Sequence, residues 1–258
     1  MPRFAANLSM LFTEVPFLER FGRAAASGFA AVEYLFPYAF PAAEIAAQLR
    51  GHGLEQALFN LPPGDWDAGE RGIAALPGRE EEFAAGVETA LEYAAALDCP
   101  RLHAMAGIPA AGCDPREATA VYVANLRHAA ARLAARGRTL LVEPINTRDM
   151  PGYFLSRQEQ ARELIELVGA PNLRLQFDVY HCQVMQGDLT RRLEELLPLI
   201  GHVQVADVPE RHEPGSGEIN YAHLFRTLDR LGYAGWVGCE YRPAGTAEAG
   251  LGWREALA

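Results

Sequence analysis

Residues 80–145 read EEEFAAGVETALEYAAALDCPRLHAMAGIPAAGCDPREATAVYVANLRHAAARLAARGRTLLVEPI, and this stretch decides the fold. EEEFAAGVETALEYAAALD (80–98) and REATAVYVANLRHAAARLAAR (116–136) carry apolar residues every three or four positions. That is the period of a helix with one buried face. RLHAMA (101–106) and TLLVEPI (139–145) are short apolar runs and predict strands. The same alternation extends in both directions. Further strands are predicted at RFAANL (3–8), AAVEYLF (30–36), EQALFNL (55–61), LRLQFDV (173–179), HVQVAD (202–207) and WVGCEY (236–241). Glycine stops close helical stretches at AASG before strand two and at RLGYAG before strand eight.

Eight strands alternating with helices in 258 residues predict one α/β domain over 1–258, a (β/α)8 TIM barrel. A doubly wound sheet is the competitor. Its dinucleotide-binding form needs G-x-G-x-x-G after the first strand, and no such cluster follows RFAANL. No internal repeat, low-complexity tract or linker divides the chain.

Composition removes whole classes of function. The formal charge is −10, which argues against a nucleic-acid partner. No apolar run approaches the ~18–20 residues of a membrane span. The start, MPRFAANLSMLFTEVPF, lacks a clean apolar segment, so no signal peptide is expected and the chain reads as cytoplasmic. All 23 basic side chains are Arg. Without Lys there is no Schiff-base aldolase, no pyridoxal-lysine enzyme and no phosphate-loop lysine. Cys99, Cys113, Cys182 and Cys239 form no C-x-x-C pair and are expected to be free thiols. G-x-S-x-G is absent, since Pro214 precedes Ser216 where Gly is required.

Polar residues at the ends of apolar strands carry the functional signal. Glu143 follows Leu-Leu-Val in strand five, Asp178 closes strand six, Gln204 lies in strand seven and Glu240 ends strand eight. They are 35, 26 and 36 residues apart, each close to one βα unit of about 31 residues. Four oxygen-bearing side chains are therefore expected at similar heights on adjacent strands. Three carboxylates crowded at the mouth of a barrel repel one another, and a divalent cation resolves that conflict. An all-oxygen set suits Mg2+ or Mn2+ better than Zn2+. The alternative for any one of them is an Arg partner at the rim.

His181, three residues after Asp178, is read as a substrate contact, with metal ligation and simple packing as alternatives. His202 reads as structural. Asn7 and Asn60, ending strands one and three, are expected to point into the mouth, or to satisfy loop backbone. Two long segments follow strands: LPPGDWDAGERGIAALPGRE (61–80) and ADVPERHEPGSGEIN (206–220). Both belong on the face where barrel enzymes keep their chemistry, as functional loops or plain surface connections.

RFAANLSMLF, FNLPPGDWDAGERGIAALPGREEEF, VEPIN, FDVYH, HEPGSGEINY and GWVGCEY together resemble the hydroxypyruvate isomerase family, within the xylose-isomerase-like barrels. The resemblance spans essentially the whole chain. It implies a divalent metal held by Glu143, Asp178, Gln204 and Glu240, with both glutamates moving protons. It implies interconversion of hydroxypyruvate and tartronate semialdehyde within glyoxylate and sugar-acid metabolism. Related ketose epimerases imply substrate contacts from His181 and Arg211. A close relative acts on 2-oxo-tetronate, and the N-terminal segment looks more like that relative. VEPIN and the GDWDAGERG loop look more like the hydroxypyruvate enzyme.

The substrate is then a small anionic hydroxy or keto acid, and its carboxylate needs a cation. Arg211 is the first choice and Arg71, in the strand-three loop, the second. A related ketose or sugar-acid epimerase is an alternative activity, and a hydride shift an alternative to proton transfer. More remote are a metal-dependent abasic-site nuclease and a non-enzymatic sugar-acid binder. A homo-oligomer is compatible with the sequence.

Overall fold

The computed structural model describes residues 2–257. Eight parallel strands close into a barrel in sequence order: β1 (Arg3–Asn7), β2 (Ala31–Glu33), β3 (Glu55–Asn60), β4 (Arg101–His103), β5 (Thr139–Val142), β6 (Leu173–Asp178), β7 (Ile200–Val205) and β8 (Trp236–Cys239). β8 pairs back onto β1. The connecting helices are α1 (Phe17–Ala26), α2 (Ala42–His52), α3 (Glu80–Ala96), α4 (Pro115–Ala134), α5 (Gln158–Val168), α6 (Val179–Met185), α7 (Leu189–Leu196) and α8 (Tyr221–Arg230). Two single-turn helices, α9 (Ala247–Gly250) and α10 (Trp253–Ala256), follow β8.

Local chemistry explains these boundaries. Asp114 caps α4 by accepting from the Arg116 N–H at 2.8 Å, and Pro115 starts the helix where no N–H is needed. The predicted stop after α1 is Gly28, at φ 77°, a conformation that costs other residues more. Most strands are shorter than the sequence predicts, β2, β4 and β5 by three residues or more. β2 ends at Glu33 because the Leu35 N–H bonds the Ser9 hydroxyl at 2.9 Å and Pro37 follows. Beyond β4, the Ala106 N–H goes to the Tyr153 hydroxyl at 2.8 Å, away from the ladder.

The main core lies between the strands and the helices, built from residues such as Phe21, Ile45, Val87, Leu126, Leu133, Phe177 and Leu228. The strand interior is different. Ala5, Ala31, Ala57 and Trp236 form a small separate cluster there. Above it, polar side chains two residues further along their strands take over, including Asn7 and Glu33. Cys99, Cys182 and Cys239 are buried, Cys113 is partly exposed, and all four are free. No helix among the described residues is long and apolar enough to cross a membrane.

Both long loops are tied down. In 61–80, Gly72 bridges to Ala106, Asn125 donates to the Ala74 carbonyl at 2.9 Å, and Arg79 pairs with Glu70 at 2.5 Å. In 206–220, buried Asp207 accepts from four backbone N–H groups: Val208 and Ile219 on Oδ1, Gly215 and Gly217 on Oδ2, all at 2.8–3.0 Å. Asp207→Ala strands those donors, and the two in buried hydrogen bonds, the N–H groups of Val208 and Ile219, cost about 1–3 kcal/mol each when unpaired. Urea denaturation is expected to show a loss of at least about 2 kcal/mol, and an unchanged midpoint would contradict this account of the loop.

Candidate active site

Two hollows mark the ends of the barrel. A broad one of about 910 Å³ opens at the N-terminal ends of the strands, between Arg3, Glu55 and Arg101. A smaller one of about 190 Å³ lies at the C-terminal ends, and the chemistry is there. Asn7, Glu33, Asn60, His103, Glu143, His181, Gln204, Arg211 and Glu240 are among the residues that line it.

Register aligns the acidic set. Asp178 pairs with Gln204 across β6–β7, Gln204 pairs with Gly238 across β7–β8, and Glu240 lies two residues beyond. Glu143 follows β5 directly. Ligand atoms from Glu143, Asp178, His181 and Glu240 all lie within 4.8 Å of one another, and all four residues are buried. Asp178 also caps α6: its Oδ1 accepts from the His181 N–H at 3.0 Å, so one residue ends the strand, starts the helix and joins the carboxylate cluster.

Compensating charge is scarce. Arg211 donates to Glu240 Oε2 at 3.0 Å and lies 3.9 Å from Asp149 Oδ2. Its carbonyl binds the Arg242 N–H, and its backbone sits at φ 59°, a left-handed conformation unusual for a side chain of this size. Burial pushes the Glu240 carboxyl up to about 8, opposed by Arg211 and reinforced by Asp178 and Glu33. Glu143 has no such partner. Burial first, then Glu240 and Asp178, hold its carboxyl well above the ordinary carboxylate range. Glu143 Oε1 and Asp178 Oδ2 are buried without a hydrogen-bond partner among the described residues. Clustered carboxylates, orphaned acceptors and too little positive charge together fit a divalent cation.

His181 is held in one tautomer. Its Nδ1 accepts from the Asn146 backbone N–H at 3.4 Å and from Asn146 Nδ2 at 2.6 Å. The amide itself is oriented by the Asp149 N–H, which donates to Asn146 Oδ1 at 2.8 Å. Burial lowers the His181 imidazole to about 3, so the ring is neutral and its proton sits on Nε2. Nε2 lies 3.8 Å from Glu143 Oε1 and 3.9 Å from Asp178 Oδ2. A protonated Nε2 donates into the pocket and has no lone pair for a metal.

At the floor of the pocket lies a polar layer in which Glu33, Gln176 and His103 are the residues the sequence alone does not single out. Glu33 accepts from Asn7 at 3.0 Å and Gln204 at 2.8 Å on Oε1, while Oε2 lies 2.6 Å from His202 Nε2. Gln176 donates to Gln204 Oε1 at 2.5 Å, which leaves that oxygen its second lone pair. His103 contacts Asn60 at 3.3 Å, lies 3.6 Å from Glu143, and is lowered to about 3 by burial. The strand predicted over 30–36 puts Glu33 at its middle; the structure ends β2 at Glu33, so this acid closes its strand much as Glu143 follows β5.

The expected residues thus divide. Glu143, Asp178, Gln204, Glu240, His181, Arg211, Asn7 and Asn60 converge on one end of the barrel. Arg71 does not line the pocket. Its guanidinium stacks on the Trp66 ring at 4.1 Å and donates to the Trp66 and Glu70 carbonyls, so it supports a wall residue from behind.

The model of a family described as xylose isomerase-like TIM barrel matches residues 21–258. A 2-oxo-tetronate isomerase of Cupriavidus necator is 57% identical over 253 residues, covering 98% of this chain and 97% of that protein. The hydroxypyruvate isomerase of Escherichia coli is 50% identical over 255 residues, covering 99% of each. A crystal structure described as an AP endonuclease, family 2, from Brucella melitensis superposes with a TM-score of 0.97 at 56% identity, covering 99% of each chain.

The raised Glu240 carboxyl has a measurable sign. Its folded value of about 8 exceeds the ordinary 4.5, so the folded chain holds a proton that the unfolded chain releases. Stability from this group is therefore lost as pH rises through that window. His103 and His181, lowered to about 3 from 6.5, act oppositely but only below about 6.5. Chelator-treated protein should lose thermal stability between pH 6.5 and 8, less so in Glu240→Gln and less so with Mg2+ or Mn2+ present. An identical slope in wild type and variant would refute the assignment.

Proposed function

The chain belongs to the xylose isomerase-like TIM barrel family and is an isomerase, and from that premise we propose that it interconverts hydroxypyruvate and tartronate semialdehyde. The observation that carries this reading is the pair of buried glutamates, Glu143 and Glu240, that face one small pocket with unequal electrostatic support. The reaction moves a hydrogen from C3 to C2 and the hydroxyl proton from the C3 oxygen to the C2 oxygen, so that the carbonyl moves from C2 to C3. It therefore needs one group to take a proton and another to return one.

Glu240, beside Arg211, is the better-supported carboxylate and is assigned the proton at C3. Glu143, the second glutamate lining the pocket, is assigned delivery at C2. His181 donates its Nε2 proton toward the oxygen that gains negative charge between these transfers. Arg211 keeps a buried Nε–H without a partner among the described residues, available to a substrate oxygen. Asn7 and Asn60 complete the polar wall. A divalent cation held by Glu143, Asp178, Gln204 and Glu240, Mg2+ or Mn2+ by its oxygen donors, would supply Lewis-acid polarisation of the substrate oxygens. Burial keeps water from competing for these groups.

A second reading keeps the chemistry and lengthens the substrate. The 57% identical relative is named for 2-oxo-tetronate, whose 2-oxo-3-hydroxy arrangement undergoes the same exchange. A nuclease reading, prompted by the name of the Brucella structure, is disfavoured here by the formal charge of −10, which repels a phosphate backbone, and by the small buried pocket.

Turnover of hydroxypyruvate and 2-oxo-tetronate by metal-stripped protein, with Mg2+ or Mn2+ added back, tests the proposal. Metal-dependent turnover is expected, with a loss of at least about 10³-fold in Glu240→Gln, as for removal of a group acting in the transition state. In D2O the product should carry solvent deuterium at C2. Full retention of the substrate hydrogen would replace proton transfer with a hydride shift. A binding protein would instead retain affinity for the acid in Glu240→Gln and turn over neither compound.

A further inference from the structure

Three arginines surround the outer part of the site, and they differ in what already claims them. Arg148, Arg211 and Arg242 line one vestibule of about 340 Å³ together with Asp149, Tyr180, Pro209 and Glu210. Arg148 donates to the Tyr180 hydroxyl at 2.8 Å and to the Pro209 carbonyl at 3.1 Å, and lies 3.7 Å from Asp149. Arg211 is paired with Glu240, flanked by Asp149, and stacked over the Tyr180 ring at 5.1 Å. Its positive charge is already answered by two carboxylates.

Arg242 is in a different position. Among the described residues its guanidinium makes no hydrogen bond, ion pair or ring contact, and Glu210 across the vestibule does not pair with it. Its backbone, by contrast, is fixed on both sides. The Arg242 N–H donates to the Arg211 carbonyl at 2.8 Å, and the Arg242 carbonyl accepts from His212 Nδ1 at 2.7 Å. Pro243 follows and limits the chain further. Arg242 is also two residues beyond Glu240. Buried Tyr241 between them points away, toward Trp253. Arg242 lines both the reaction pocket and the vestibule outside it.

Resting on the proposed reaction, we infer that Arg242 is the residue that reads the substrate's carboxylate and so makes the site specific for acids over neutral sugars. The two reacting carbons need the glutamates, and the carboxylate sits one carbon farther out. Arg242, two residues beyond Glu240 and lining the same pocket, is placed to meet it. A chain of net charge −10 repels anions at long range, and an uncompensated guanidinium at the mouth locally reverses this. Its planar fork matches a carboxylate in two parallel hydrogen bonds.

The test compares kcat/KM for hydroxypyruvate with that for dihydroxyacetone, the same skeleton with CH2OH in place of the carboxylate. In Arg242→Gln the ratio of the two is expected to fall about 10- to 100-fold, the range for losing a charged hydrogen-bonded pair. Arg242→Lys, which keeps the charge but not the fork, should retain the greater part of the ratio. A ratio in Arg242→Gln within twofold of wild type overturns the assignment. Should wild type turn over neither acid nor ketose, calorimetric binding of glycerate against glycerol separates the two proposals. Glycerate affinity that falls in Arg242→Gln upholds Arg242 while rejecting the reaction. Glycerate affinity that is absent or unchanged rejects both.

Discussion

Everything at the C-terminal end of this barrel follows from burying four carboxylates, Glu33, Glu143, Asp178 and Glu240, with one arginine in contact. A buried carboxylate without compensation is costly enough that it becomes protonated. The fold treats each of the four differently. Glu33 is surrounded by donors from β1 and β7. Asp178 takes the first turn of α6. Glu240 takes Arg211. Glu143 is left with two histidines that burial holds neutral. That inequality is the chemical content of the site, because it separates two glutamates that would otherwise be alike.

Geometry of this quality needs its neighbours fixed, and the fixing is done largely by backbone N–H groups. The amide of Asn146 is oriented by the Asp149 N–H, and the Asn146 N–H then sets the tautomer of His181. Asp149 further accepts from the Tyr180 hydroxyl at 2.9 Å, tying the loop after β5 to α6. Asp207 gathers four N–H groups and so shapes the loop that carries Arg211. Backbone donors cannot flip or rotate away, so side chains bound to them are positioned more reliably than in a network of side chains alone.

The barrel and the convergence of acids were legible because both are periodic. Strand, helix and strand recur at about 31 residues, and a polar residue ending each of four strands repeats at that interval. What was not legible depends on contacts between distant strands. Glu33 and His202 meet across 169 residues, and AAVEYLF alone gives no reason to prefer a buried partner over solvent. Arg71 illustrates the opposite error. Its position in a loop after a strand suggested an anion contact, yet the neighbouring Trp66 ring offers its guanidinium a closer surface. Arg242 sits beside a motif glutamate, but only the pairing of Arg148 and Arg211 elsewhere distinguishes it.

The polar layer at the floor of the pocket explains a feature that catalysis alone would not require. Gly238 lies between Trp236 and Glu240 on the inward face of β8, where a side chain would ordinarily fill the barrel. A Cβ there would come within 2.3 Å of Glu33 Oε1, so the glycine makes room for the carboxylate. Glu33 in turn holds the amide of Gln204, whose Nε2 donates to Glu33 Oε1 while its own Oε1 accepts from Gln176. The missing side chain on one strand therefore bears on an amide carried by a second, through a carboxylate carried on a third. Gly238 itself does not line the pocket, so a side chain placed there would reach it only through Glu33 and Gln204, which do.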